Sequence, residues 1–149
     1  MSATKEYWQN KLPHPLSPND SDVKLYLSLI TDGTALLLGC THDLIKYTTN
    51  QMDIDPWYQN ETVITMDWQN NEEFYDNMIG DGSFNLTKEL TDNVLEMASK
   101  CTKNLVIRCF NQKLPEMKVA DYFPSKDDFE IKPSLTIKFK DYSFYVWEF

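Results

Sequence analysis

The chain reads as an α/β domain built on a mainly parallel sheet, and three observations predict it. Short runs that are apolar at consecutive positions recur along the chain, Ala35-Leu36-Leu37-Leu38 being the clearest. A strand apolar on every position suits a sheet covered on both faces. These runs alternate with helix-like spacing or short crossovers, the pattern of parallel strands. The alternation stops at the end, where residues 135–139 and 143–149 form two aromatic-rich strand patterns around Lys140-Asp141-Tyr142. That reads as an antiparallel hairpin. With 149 residues and 42% hydrophobic content, residues 1–149 suffice for one domain that buries roughly two-thirds of its unfolded surface.

Each element has its own signal. Residues 5–11 form a short amphipathic piece carrying Tyr7 and Trp8, and Pro13, Pro15 and Pro18 impose an extended arm after it. Residues 1–18 therefore read as an N-terminal helix and proline-rich arm. Asn19, Asp20 or Ser21 can cap the next helix, whose apolar positions are Val23, Tyr26, Leu27 and Ile30 and whose stop is Asp32-Gly33. Strand runs follow at 35–38, 51–54, 63–66, 76–79 and 104–110, with a helix around 90–98 whose stripe is Leu90, Val94, Leu95 and Ala98. The first crossover, 43–50, is short for a full helix.

Charge and composition narrow the function. A formal charge of −9 argues against a nucleic-acid backbone or an anionic membrane as main partner, since both need a basic face. A cationic ligand meets no global repulsion. Cys40, Cys101 and Cys109 have no repeated short spacing, so neither a disulfide framework nor a zinc site is expected, and Cys40 and Cys109 read as buried thiols. His14 and His42 are far apart and lack partners at ligand spacing, so no metal is expected. Residues 1–12 show no secretory h-region, and no apolar run approaches the ~20 residues of a membrane span. A cytoplasmic setting is expected.

In an open α/β sheet, ligands bind beyond the carboxyl ends of the strands. The informative residues are therefore Gly39-Cys40-Thr41, Asp53-Ile54-Asp55, Asp67-Trp68 and Gly80-Asp81-Gly82. A glycine after the first strand lets backbone approach a ligand. An acid ending the second strand can accept from a ribose diol. An acid ending the third can accept from an exocyclic amine, with Trp68 over or beside a purine. Asp81 between two glycines suggests a carboxylate on a bent loop facing the ligand's other end. Each has a plainer alternative: a solvated turn before Pro56 for Asp53 and Asp55, packing under a loop for Trp68, and ordinary turn chemistry for Asp81. Arg108 reads as a structural ion-pair partner at the sheet edge.

Leu-Leu-Leu-Gly-Cys-Thr at 36–41, Met-Asp-Ile-Asp at 52–55, Met-Asp-Trp at 66–68 and Tyr-Asp-Asn-Met-Ile-Gly-Asp-Gly at 75–82 together resemble class I S-adenosylmethionine-dependent methyltransferases. They are similar in particular to a branch whose first motif reads Leu-Gly-Val-Thr, and Arg108 fits that branch. The resemblance implies a Rossmann-like, mainly parallel sheet of about seven strands ending in an antiparallel hairpin, with S-adenosyl-L-methionine as cofactor. It implies that Gly39, Cys40 and Thr41 line the methionine part, that Asp53 holds the ribose, that Asp67 meets the adenine amine with Trp68 beside it, and that Ile54 is also a cofactor-binding residue. Gly80 and Asp81 would lie near the sulfonium and acceptor, Asp81 being the one candidate catalytic residue. A reduced glycine loop departs from the usual fingerprint.

The expected function is methyl transfer to a small-molecule acceptor, with a homodimer or second subunit as partner. The rival is a non-catalytic cofactor-binding or partner-binding module on the same fold. An NAD(P)-dependent reductase is disfavoured because no Gly-x-Gly-x-x-Gly follows the first strand.

Overall fold

The computed structural model describes residues 16–115, 117 and 122–149. The predicted piece at 5–11 with Tyr7 and Trp8, most of the arm, and His14 lie outside the described residues.

Helix α1 (Asp20–Leu29) starts at Asn19, whose side chain accepts from the Asp22 amide at 2.9 Å while Asp22 accepts from the Asn19 amide at 3.1 Å. This reciprocal capping box satisfies two amides that would otherwise lack helical partners. The helix ends at Ile30, which turns extended. The Asn77 side chain then brackets Thr31, accepting from its amide at 2.9 Å and donating to its carbonyl at 2.7 Å. So the helix stops at Leu29, four residues before Gly33, because Asn77 supplies polar partners there.

Seven strands follow in one sheet: β1 (Ala35–Leu38), β2 (Asn50–Asp53), β3 (Val63–Thr65), β4 (Tyr75–Asp81), β5 (Thr102–Phe110), β6 (Leu135–Lys138) and β7 (Tyr142–Glu148). Their order is β3-β2-β1-β4-β5-β7-β6. Neighbours from β3 to β5 are parallel, β7 runs antiparallel to β5, and β6 antiparallel to β7. The chain winds outward from β1 to β3, then returns to β4 on the other side. The strand order therefore reverses between β1 and β4, and a crevice opens at their carboxyl ends.

Both faces are covered. Helix α2 (Lys88–Cys101), capped by the Thr87 hydroxyl, presses Val94, Leu95 and Ala98 onto the side of Leu36, Leu38, Met78, Leu105 and Ile107. Phe129 fills this layer further along, packing edge-on against Tyr145 and Trp147. On the opposite face α1 sets Tyr26 against Leu37, Ile79, Val106 and Phe144. All four residues of β1 are buried, as a strand covered twice requires. The short first crossover is a 3-10 segment, His42–Tyr47, anchored by buried Leu44.

Two expectations are corrected. β4 continues past the apolar run to Asp81, because long β5 keeps pairing it: Gly80 faces Ile107 and Asp81 faces Arg108. Gly80 and Asp81 are strand residues, not part of a bent loop. Arg108 lies on an interior strand, between β4 and β7, not at the sheet edge.

Candidate functional site

The turn after β1 is built to bring backbone close to the crevice. Gly39 has φ +115°, a conformation that favours glycine, and its amide donates to the Met52 carbonyl at 2.8 Å. The Trp57 indole donates to the Cys40 carbonyl at 2.7 Å and fixes the next peptide. Cys40 and Thr41 are buried. Burial, with Asp53 nearby, pushes the Cys40 thiol up to about 12, so it is an inert packing group at neutral pH. On β4, a Cβ at Gly80 would collide with the Ser83 hydroxyl, which donates to the Leu38 carbonyl at 2.8 Å. Glycine there lets the β4 turn close over the end of β1.

Beside this turn lies a cleft of about 360 Å³. Asp53, Ile54, Asp67, Trp68, Leu86 and Glu89 are among its lining residues, and no Lys, Arg or His lines it among the described residues. Asp53 ends β2; one oxygen accepts from the Asp55 amide at 3.2 Å, and burial raises its pKa above the ordinary carboxylate value. Ile54, next to it, is 60% exposed, an apolar surface at the mouth of a polar cleft. Asp67 caps the short 3-10 turn Trp68–Asn70, accepting from the Gln69 amide at 3.1 Å and from the Gln69 side chain on both oxygens. Trp68 is only 8% exposed and its indole donates to the Met52 carbonyl at 2.6 Å. Its ring therefore belongs largely to the core beneath the cleft.

The structure thus brings Asp53, Ile54, Asp67 and Trp68 into one cleft, with Gly39-Cys40-Thr41 at the end of the adjoining strand. Leu86, Gln69 and Glu89 were not anticipated from sequence. The available signal was position, since 86–89 join the Gly80-Asp81-Gly82 region to the start of α2 and so must pass the same strand ends. His42 lines a separate groove of about 570 Å³ between α1 and the 3-10 segment, with Lys24, Asp43 and Tyr47.

Asp81 is held differently from its neighbours. Arg108 donates to both of its oxygens, Nε at 2.6 Å and Nη2 at 2.8 Å, and the Tyr26 hydroxyl lies 2.7 Å from the first of them. Arg108 also donates to Asp22 at 3.1 Å and to the Leu16 carbonyl at 2.6 Å. Tyr142 completes the cluster by donating to the other Asp22 oxygen at 2.7 Å and lying under the guanidinium. The arginine side chain is 2% exposed and the two carboxylates 4% and 5%. Burial alone would lower the arginine pKa, but Asp81 beside it outweighs that and holds it above its usual range. The Asp81 carboxylate is a locked ion-pair partner whose oxygens are already occupied.

Against solved structures the fold has clear likenesses. Magnesium protoporphyrin IX methyltransferase from Synechocystis PCC 6803, with bound SAM, superposes with a TM-score of 0.58 at 16% identity, over 85% of this chain and 76% of that one. TehB from Haemophilus influenzae gives 0.62 at 12% identity, over 97% of this chain and 66% of that one. The 16S rRNA methylase ArmA gives 0.52 at 16%, over 83% and 80%. No protein-family model and no curated protein sequence matches the chain. The fold is the Rossmann-like one of class I methyltransferases. Among the described residues no helix is long and apolar enough to cross a membrane, and no group of three or more His, Cys, Asp or Glu is arranged to hold a metal ion.

Proposed function

We propose that residues 1–149 form one domain that binds S-adenosyl-L-methionine and transfers its methyl group to a small-molecule acceptor. The cleft carries this reading. Its acids can accept hydrogen bonds, Ile54 and Leu86 offer apolar faces, and among the described residues no cation lines it for a phosphate. That fits an adenosine without phosphates and fits NAD(P) or ATP poorly. Asp53 would accept from the ribose hydroxyls, and Ile54 would cover the base. Asp67 would accept from the adenine amine by giving up its Gln69 side-chain bonds. The turn Gly39-Cys40-Thr41 would hold the methionine end beside Gly80.

The bound sulfonium supplies an electrophilic methyl group. The protein's part is then alignment and exclusion of water. Asp81 contributes by fixing the end of β4, not as a proton acceptor. The likeness to an rRNA methylase does not extend the proposal to nucleic acid, because the formal charge of −9 opposes a phosphate backbone. The three cysteines are buried and free, which supports a reducing, cytoplasmic setting. Leu135 on the edge strand β6 and Phe139 just after it are exposed, and we propose this edge of the sheet as the contact for a homodimer or second subunit.

Calorimetric titration with S-adenosylmethionine, S-adenosylhomocysteine, NADH and ATP tests the binding claim. Saturable binding of the adenosyl compounds alone is expected, and absence of binding by both would sink it. The commitment of both Asp81 oxygens to Arg108 favours one rival, a module that binds the cofactor without transferring methyl. Binding with no methylated product across amine, thiol and hydroxyl acceptors would select that rival.

A further inference from the structure

Gln69 lines the cleft together with Asp53, Asp67 and Glu89, and its side chain is the middle of a three-residue chain of hydrogen bonds. Its Nε2 donates to both Asp67 oxygens at 3.1 Å. Its Oε1 accepts from the side-chain amide of Asn93, on α2, at 2.6 Å. An ionised carboxylate only accepts, so the Gln69 nitrogen must face Asp67 and its oxygen must face Asn93. The orientation of the amide is thereby fixed from both ends.

The chain thus occupies the cleft's acid with a donor of its own. Asp67 Oδ1 also accepts from the Gln69 backbone amide at 3.1 Å, while Oδ2 is reached, among the described residues, by the Gln69 side chain alone. Among the described residues Nε2 has no acceptor besides Asp67. When an adenine amine replaces the side chain on Asp67, both hydrogens of Nε2 lack an acceptor, and Asn93 still holds the amide by its oxygen. Left unpaired, that donor would cancel what the amine gains. Adenine carries a ring-nitrogen acceptor on either side of its amine, and such an acceptor is what the released donor needs.

We infer that Gln69 is a specificity-determining residue of the cleft: it passes Asp67 to the adenine amine and donates instead to the ring nitrogen beside that amine. Asn93 is its positioning residue, holding Oε1 so that Nε2 stays turned into the cleft. The inference rests on the cofactor reading above. It makes the base site an acceptor and a donor side by side, which a 6-oxo purine mismatches by setting a carbonyl against the carboxylate.

Calorimetry with S-adenosylhomocysteine and its 1-deaza and 7-deaza analogues, in which carbon replaces one or the other flanking nitrogen, tests this. One deaza analogue should bind the wild-type chain about three- to tenfold more weakly than the parent, the worth of one hydrogen bond, and its identity tells which nitrogen is read. Gln69→Ala should weaken the parent by that factor and bind parent and that analogue alike. Asn93→Ala, an exposed change on α2, should shrink the same gap, a comparison that a general loss of stability does not move. Parent binding to Gln69→Ala that is unchanged or tighter makes Gln69 a mere competitor for Asp67, and overturns the inference with the cofactor reading intact. Equal wild-type affinities for all three ligands do the same. If Gln69→Ala does not fold, an undiminished gap in Asn93→Ala overturns it. No binding of the parent to the wild-type chain removes inference and cofactor reading together.

Discussion

Replacing Arg108 with methionine is the sharpest test of how this fold is held together. The guanidinium makes four hydrogen bonds, two to Asp81, one to Asp22 and one to the Leu16 carbonyl. Arg108→Met keeps most of the apolar stem but leaves two carboxylates buried without a counter-charge. Removing one partner of a buried ion pair costs about 3–5 kcal/mol, mostly the desolvation of what is left behind. For a domain of this length each kcal/mol moves Tm by about 2–4 °C, so a fall of roughly 6–20 °C is expected. Adding Asp22→Asn and Asp81→Asn should recover most of the loss, since the remaining groups are neutral. Thermal and urea unfolding at neutral pH measure both variants. A loss below about 1 kcal/mol in Arg108→Met, or no recovery in the triple variant, would refute the account of the cluster.

Three further outcomes follow from the cleft. Asp53→Asn should raise stability at neutral pH and not at pH well below 4, because burial raises the Asp53 pKa and its ionisation then opposes folding. The same variant should weaken S-adenosylmethionine binding, so unfolding curves and calorimetry must move in opposite directions. Ile54→Ala should leave Tm within about 1 °C, as the side chain is mostly exposed. It should also reduce cofactor affinity about fivefold, the worth of one or two buried methylenes. Cys40, pushed up to about 12 by burial, should resist iodoacetamide at pH 8 in the folded protein and react fully in urea, read by mass spectrometry of the alkylated peptides.

Much of the architecture was legible in the sequence because the relevant forces are local or periodic. Ala35–Leu38 is apolar at every position and is buried at every position, which only a doubly covered strand requires. The 90–98 stripe marked α2, and the aromatic alternation after residue 134 marked the antiparallel pair. Acids and glycines at strand ends marked where a ligand would meet the sheet, since open α/β sheets leave their backbone ends available there. What sequence alone did not contain was partnership at a distance. Asp81 read as a free carboxylate because its glycine neighbours suggest a loop. Arg108, 27 residues away, pairs with it and keeps it in the strand. Trp68 read as a cover for a base because it follows Asp67, yet its indole is drawn into the core by the Met52 carbonyl. Charge and hydrogen-bond satisfaction depend on which groups the fold brings within about 3 Å, and that is a property of packing. The sequence by itself determined the strand order's raw material and the acids of the cleft. Tertiary structure decided which acids face the cleft and which are locked in the buried arginine cluster.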